Sequence, residues 1–146
     1  MGRMSDDDLS GERDFNASNI DEFRRNGGKV GGQFEGFPLL LLTSTGARSG
    51  AERVNPVAYF DIDDKIYIVG SAAGRDKAPA WVHNIRANPT VSVEIGADPA
   101  RAATAHEVPR DVRDRLYNVV VERAPGFAEY EKRTDRIIPV FELTFD

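Results

Sequence analysis

Leu39-Leu40-Leu41-Leu42-Thr43-Ser44-Thr45-Gly46-Ala47-Arg48-Ser49-Gly50-Ala51-Glu52-Arg53-Val54-Asn55-Pro56 is the stretch on which the reading of this chain turns. It opens with the most apolar run of the sequence, and the run is continuous rather than alternating. That pattern predicts a strand over residues 37–43 that is buried on both faces. Residues 53–61 read as a second strand, with Pro56 at a bulge or an edge because proline cannot donate to a ladder. Between the two strands, Gly46 and Gly50 let the backbone turn tightly and let a ligand approach it closely. Hydroxyls and backbone N–H groups in such a turn form concave anion sites. Arg48 and Arg53 would close the site with charge and forked donors. A mobile surface loop has the same composition, so the residues of the turn alone leave both readings open.

Downstream, Asp63-Asp64 marks a turn and Lys65 to Ser71 a third strand. Ile66, Ile68 and Gly70 face one way; Tyr67, Val69 and Ser71 face the other. The connections are short, so antiparallel pairing is expected. After a loop of small and charged residues, Pro79 fits the first turn of a helix running to about Ala87, with Trp81, Val82 and Ile85 inward. Asn88-Pro89 stops it. Residues 90–95 and 101–108 form a strand pair around Ala97-Asp98-Pro99. Pro109 opens an amphipathic helix whose apolar spacing is Val112, Leu116, Val119 and Val120. Pro125-Gly126 breaks it, Phe127 and Tyr130 mark a short aromatic turn or helix, and residues 137–145 close the chain as a strand. Upstream, a short helix starts near Ser18 and stops at Gly27-Gly28. Residues 27–32 hold four glycines, but no helix with a Lys-Ser/Thr pair follows, so this is a connector and not a phosphate loop. Residues 1–17 read as a flexible acidic tail, and 18–146 as one domain. With six strands and no repeated strand-helix-strand rhythm, the expected fold is mainly β (α+β). It is a small barrel of mostly antiparallel strands with helices across its openings.

The composition narrows the chemistry. The 146 residues include 19 Lys plus Arg, 24 Asp plus Glu and no cysteine, giving a net charge of -5. That balance argues against a general nucleic-acid binder. Disulfides, thiol catalysis and Cys-based zinc sites are excluded. His83 and His106 are isolated, and no metal site is expected. No segment has the roughly 18 apolar residues that a membrane span needs. The N-terminus lacks a signal-peptide core, and the expected location is cytoplasmic. No Ser, His and carboxylate fall at a spacing that suggests a triad. An enzyme of this composition would rely on an organic cofactor, with the protein supplying orientation and electrostatics. Ser71 ends a strand beside small residues against which a flat ring could lie; an ordinary strand exit looks the same. Trp81, the one tryptophan, reads more readily as core than as cofactor wall.

Four ordered motifs then resemble one family. They are Leu39 to Pro56; Val69-Gly70-Ser71 with Gly74; Pro79-Ala80-Trp81 with Asn84 and Ala87-Asn88-Pro89; and Thr134-Asp135-Arg136 with Ile138-Pro139. Together they resemble the deazaflavin (F420)-dependent nitroreductase and quinone reductase family of actinobacteria, over about residues 20–146. The resemblance implies a split β-barrel related to flavin-binding barrels and the cofactor F420, which carries a phosphate and a polyglutamate tail. By motif position, Arg48, Ser49 and Arg53 would hold phosphate and tail. Val54, Asn55 and Pro56 would lie beside the deazaflavin. Val69, Gly70, Ser71 and Ala72 would line its other contacts, with Ala80 and Trp81 on a covering helix. The implied reaction is hydride transfer from reduced F420 to a small quinone, enone or nitroaromatic compound. Ser71 and Tyr130 would position the acceptor and help supply a proton. At places where the family's best-known nitroreductase has tyrosines, this chain has Ala58, Ala124 and Phe127 and retains only Tyr130. A non-catalytic F420 carrier and an FMN- or haem-binding barrel are the alternatives. Peripheral membrane contact and oligomeric state stay open.

Overall fold

Four leucines in a row need two apolar environments, because alternate side chains of a strand leave on opposite faces. A computed structural model, which describes residues 20–27, 38–71 and 78–145, shows both. Leu40 and Leu42 of strand β1 (Leu39–Thr45) point into a barrel, onto Val57, Ile68, Val93 and Phe141. Leu39 and Leu41 point outward, beneath Phe23 of a helix, α1, that includes residues 20–25. All four are at most 3% exposed. Burying each contributes about 1.5–3 kcal/mol, which makes this strand a pivot of the fold.

The remaining elements are β2 (Glu52–Ile62), β3 (Lys65–Val69), α2 (Ala80–Ala87), β4 (Thr90–Ile95), β5 (Arg101–Glu107), α3 (Arg110–Arg123), α4 (Gly126–Lys132) and β6 (Val140–Phe145). The six strands close into a barrel in the order β1-β2-β3-β6-β5-β4, and every pairing is antiparallel. Asp63 and Asp64 both take positive φ, 54° and 64°, as a two-residue hairpin that matches strand twist requires. Helix α2 sends Trp81, Val82 and Ile85 into the barrel interior. Helices α3 and α4 cover the outer face of β2, β3 and β6, where Phe60, Tyr67, Val69 and Val140 meet Leu116, Tyr117, Val120 and Phe127. The expected tail, most of the glycine-rich bend and the loop 72–77 lie outside the described residues.

Several boundaries differ from the sequence reading. Strand β1 runs on to Thr45 because Ser44 pairs with Arg53 and Thr45 with Glu52. Strand β3 ends at Val69, before Ser71, because the Gly70 N–H turns to the Pro139 carbonyl at 2.9 Å. Strand β6 starts at Val140, not Ile137, and the Ile138 carbonyl is taken by the Arg113 side chain at 2.8 Å. The buried stripe of α3 is Arg113, Leu116, Tyr117 and Val120, whereas Val112 and Val119 are only half-buried.

The edge reading of Pro56 has a physical basis. The Tyr59 N–H donates to the Pro38 carbonyl at 3.1 Å, on the side of β1. Backbone directions alternate along a strand, so the nitrogen of Pro56 faces the opposite side. There the ladder to β3 begins only at Tyr59. Proline therefore costs no ladder bond, and β2 from Glu52 to Ala58 overhangs its neighbour.

Candidate functional site

The turn between β1 and β2 is held by its own hydrogen bonds. The Gly46 N–H donates to the Ala51 carbonyl at 2.8 Å, and the Gly50 N–H to the Gly46 carbonyl at 3.0 Å. The Ala51 N–H donates to Ser49 Oγ at 3.2 Å. Gly50 sits at φ +69°, the left-handed region where a side chain costs strain. At Gly46 a Cβ would lie 2.7 Å from Ser49 Oγ, so the hydroxyl occupies the space that only glycine leaves. A fourth bond comes from outside the turn: the Ala47 N–H donates to Asn84 Oδ1 of α2 at 3.0 Å.

This network sorts the donors of the turn. The N–H groups of Gly46, Ala47, Gly50 and Ala51 are engaged in holding the structure. Among the described residues, those of Arg48 and Ser49 have no protein acceptor. Ser49 Oγ accepts from Ala51, which leaves its own proton to donate outward. Arg48 and Arg53 are exposed, and no ion pair among the described residues engages either. By contrast Arg24, Arg25, Arg86, Arg110 and Arg113 are all paired with carboxylates. Two adjacent N–H groups, a hydroxyl and two uncommitted guanidiniums suit an oxyanion with several charged oxygens.

The other expected site residues divide by strand face. The register pairs Leu42 with Asn55 and Ser44 with Arg53, so Arg53 and Asn55 fall on the inward face at the end of the barrel. Val54 and Pro56 fall on the outer face, and Val54 packs with Phe23 and Leu41. Ala58 touches both outer clusters, the one under α1 and the one under α3 and α4. Val69 is buried in the latter cluster. Ser71 lies just past the end of β3, half-buried, and its carbonyl accepts from Arg136 Nη2 at 2.8 Å. Ala72 lies outside the described residues.

Helix α2 places Trp81, expected on a helix covering the cofactor, in the barrel core. Its indole is only 6% exposed, inside the barrel core, and meets Phe141 edge-on with centroids 6.0 Å apart. The ring anchors the helix, and what Trp81 can offer a ligand is its backbone. Ala80, one residue earlier, is exposed. Gly70 is likewise set by packing: a Cβ there would lie 2.7 Å from Val82 Cγ2 and 3.0 Å from Pro139 Cγ.

On the far side, Tyr130 is half-buried and stacks edge-on against Phe127 at 5.0 Å. Phe127 and Ala124 are buried, at 4% and 8% exposure. Phe127 also meets Phe60 at 5.5 Å and Tyr117 at 6.5 Å, so it is core beneath Tyr130 and not an open wall. The Tyr117 hydroxyl donates to the Phe127 carbonyl at 2.7 Å. Burial pushes the Tyr117 phenol well above the ordinary tyrosine range, and the nearby charge of Glu131 adds to this. Sequence reasoning missed Asn84 and Arg136 as contacts of the site, although both stand in the quoted motifs. No group of metal-ligating residues occurs among the described residues.

Comparison with known proteins decides the family. The model of the F420H(2)-dependent quinone reductase family matches residues 17–144. The chain belongs to this family. An F420H(2)-dependent quinone reductase of Mycobacterium tuberculosis is 37% identical over 127 residues, which is 84% of each chain. A solved F420-H2 dependent reductase, FDR-A, is 40% identical, covers 73% of this chain and 93% of its own, and superposes with a TM-score of 0.64. A solved domain-swapped dimer is 36% identical over 95% of this chain and 99% of its own, at a TM-score of 0.66. The protein is thus an F420-dependent oxidoreductase, and its cofactor is reduced F420. The residues present fit that group: the uncommitted donors of the β1–β2 turn match its phosphate, and the overhanging edge of β2 leaves backbone groups for a heterocycle.

Proposed function

We propose that the chain holds F420 with its phosphate at the β1–β2 turn and passes a hydride to a small electron-poor acceptor, a quinone first. The observation that carries this reading is the turn itself, where Arg48 and Ser49 offer N–H groups and Arg48 and Arg53 offer charge with no protein partner among the described residues. Arg48, Ser49 and Arg53 bind phosphate and tail. Val54, Asn55 and Pro56 flank the ring along the overhanging edge of β2. The backbone from Val69 to Ser71 bounds it on the β3 side, with Ala80 and the backbone of Trp81 from α2, and Ala72 is kept as a cofactor contact by its motif position alone. When bound, the reduced deazaflavin supplies a hydride. Ser71 and Tyr130 orient the acceptor, and one of them, or water, gives the proton that completes reduction. Half-buried Ala58 and the buried Ala124 and Phe127 add no side-chain donor beside Tyr130, so flat apolar acceptors suit this side better than polar ones. Enones and nitroaromatic compounds are the further candidate acceptors.

A panel of quinones, enones and nitro compounds, run with reduced F420, tests the reaction. Quinones are expected to oxidise the cofactor fastest and bulky nitroimidazoles slowest. No turnover with any acceptor, despite cofactor binding, would leave a carrier. Arg48→Ala and Arg53→Ala are each expected to weaken F420 binding by about 1–3 kcal/mol, the worth of a charge-assisted contact. Wild-type affinity in both would place the phosphate elsewhere.

A further inference from the structure

Asn84 is among the few polar side chains buried in the described structure, at 7% exposure, with Ser44 and Arg113. It lies in the middle of α2, on the same side as Trp81 and Ile85. A buried amide must find partners, and this one reaches out of its own helix. Its Oδ1 accepts from the Ala47 N–H at 3.0 Å; its Nδ2 lies 3.5 Å from Ser44 Oγ, the outer limit of a hydrogen bond. The first contact therefore carries the linkage. Ala47 directly precedes Arg48 and Ser49, the two residues whose N–H groups have no protein acceptor among the described residues.

We propose that Asn84 is a positioning residue for phosphate recognition, fixing the peptide before Arg48 so that the Arg48 and Ser49 N–H groups face one anion. The inference rests on the reading that the turn holds the cofactor phosphate. The physical chain is continuous. Trp81, Val82 and Ile85 lock α2 into the barrel core, Asn84 pins Ala47 to α2, and the next two peptides present their donors. A preorganised donor pair binds an anion without the entropy loss of ordering the turn. Without Asn84, Ala47 would turn its N–H to water and the two donors would no longer hold one direction.

The test compares F420 with the same deazaflavin lacking its phosphate and tail, each titrated by fluorescence. Asn84→Ala is expected to bind F420 about 10-fold more weakly, the equivalent of one hydrogen bond of about 1.4 kcal/mol. Affinity for the phosphate-free deazaflavin is expected to change less than about 2-fold, since a ring-side contact is untouched. Equal losses for both ligands would show a merely structural residue and overturn the proposal. So would wild-type F420 affinity in Asn84→Ala alongside weakened Arg48→Ala and Arg53→Ala. Wild-type affinity in the two arginine variants would instead overturn the phosphate reading beneath it. If Asn84→Ala does not fold, amide hydrogen exchange on the wild-type protein tests the same linkage. Ala47 is expected to be protected in the free protein, with Arg48 and Ser49 protected only after F420 is added. An Ala47 amide that exchanges as fast as its neighbours would contradict the proposal.

Discussion

Arg113 shows how one side chain can organise a layer. Its Nε donates to the Ile138 carbonyl at 2.8 Å, its Nη1 to Asp114 at 2.9 Å and its Nη2 to Glu131 at 2.9 Å. Its guanidinium also lies over the Tyr117 ring at 4.4 Å. One residue of α3 thus ties α4 and the entry to β6 together. Arg113→Met is expected to cost about 1–3 kcal/mol, because it strands the buried Ile138 carbonyl. Urea unfolding measures this, and Arg113→Lys should recover little, since a single ammonium nitrogen lacks the planar spread of donors that reaches three separate acceptors. Apolar spacing on α3 pointed to Val112 and Val119. The true stripe puts Arg113 at the same three- and four-residue intervals as Leu116, Tyr117 and Val120. An arginine counts as outward in any hydrophobic pattern, and only the distant carbonyl of Ile138 explains why it is not. Asn84 was hidden for the same reason: its partner lies 37 residues away.

At the scale of elements, the strands were legible where one rule sufficed. The run Leu39 to Leu42 announced two buried faces, Pro56 announced a bulge or an edge, and Asp63-Asp64 announced a turn. The alternation Ile66, Ile68 against Tyr67, Val69 matches the inner and outer clusters. Strand ends were less legible, because they depend on who takes the next backbone group. Gly70 marks such an end. Its neighbour Val82 belongs to α2, so the fit of that helix on the barrel depends on a missing Cβ. Gly70→Ala is expected to destabilise the protein by about 1–3 kcal/mol through overpacking, seen as a lower Tm. An unchanged Tm would show that Val82 and Pro139 yield freely. Of the candidate site, the turn was legible because arginines, glycines and hydroxyls are local signals. The core placement of Phe127 was not, and that of Trp81 was only favoured, because an aromatic ring suits a wall or a core until its neighbours are known.

For the whole molecule, the barrel holds its apolar interior on one side of the sheet and a second core under α3 and α4 on the other. Tyr117 couples that second core to pH. Its phenol is raised well above the unfolded value of 10.0, chiefly by burial. Stability from this group is therefore full below about pH 10 and falls as pH rises further, because the unfolded chain releases a proton that the folded one keeps. Tyr117→Phe is expected to flatten that alkaline loss while lowering stability at neutral pH, since the Phe127 carbonyl loses its donor. Urea titrations at about pH 8 and at pH values above about 10 measure both effects. Among the described residues no helix is long and apolar enough to cross a membrane. The proposed function turns on whether the β1–β2 turn at one end of this barrel binds an anion. Titrating the wild-type protein with F420 while following deazaflavin fluorescence tests it most directly. Saturable binding at micromolar protein, weakened but still measurable when the phosphate and tail are removed from the ligand, is the expected result. No binding, or equal binding of the phosphate-free deazaflavin, would contradict the account.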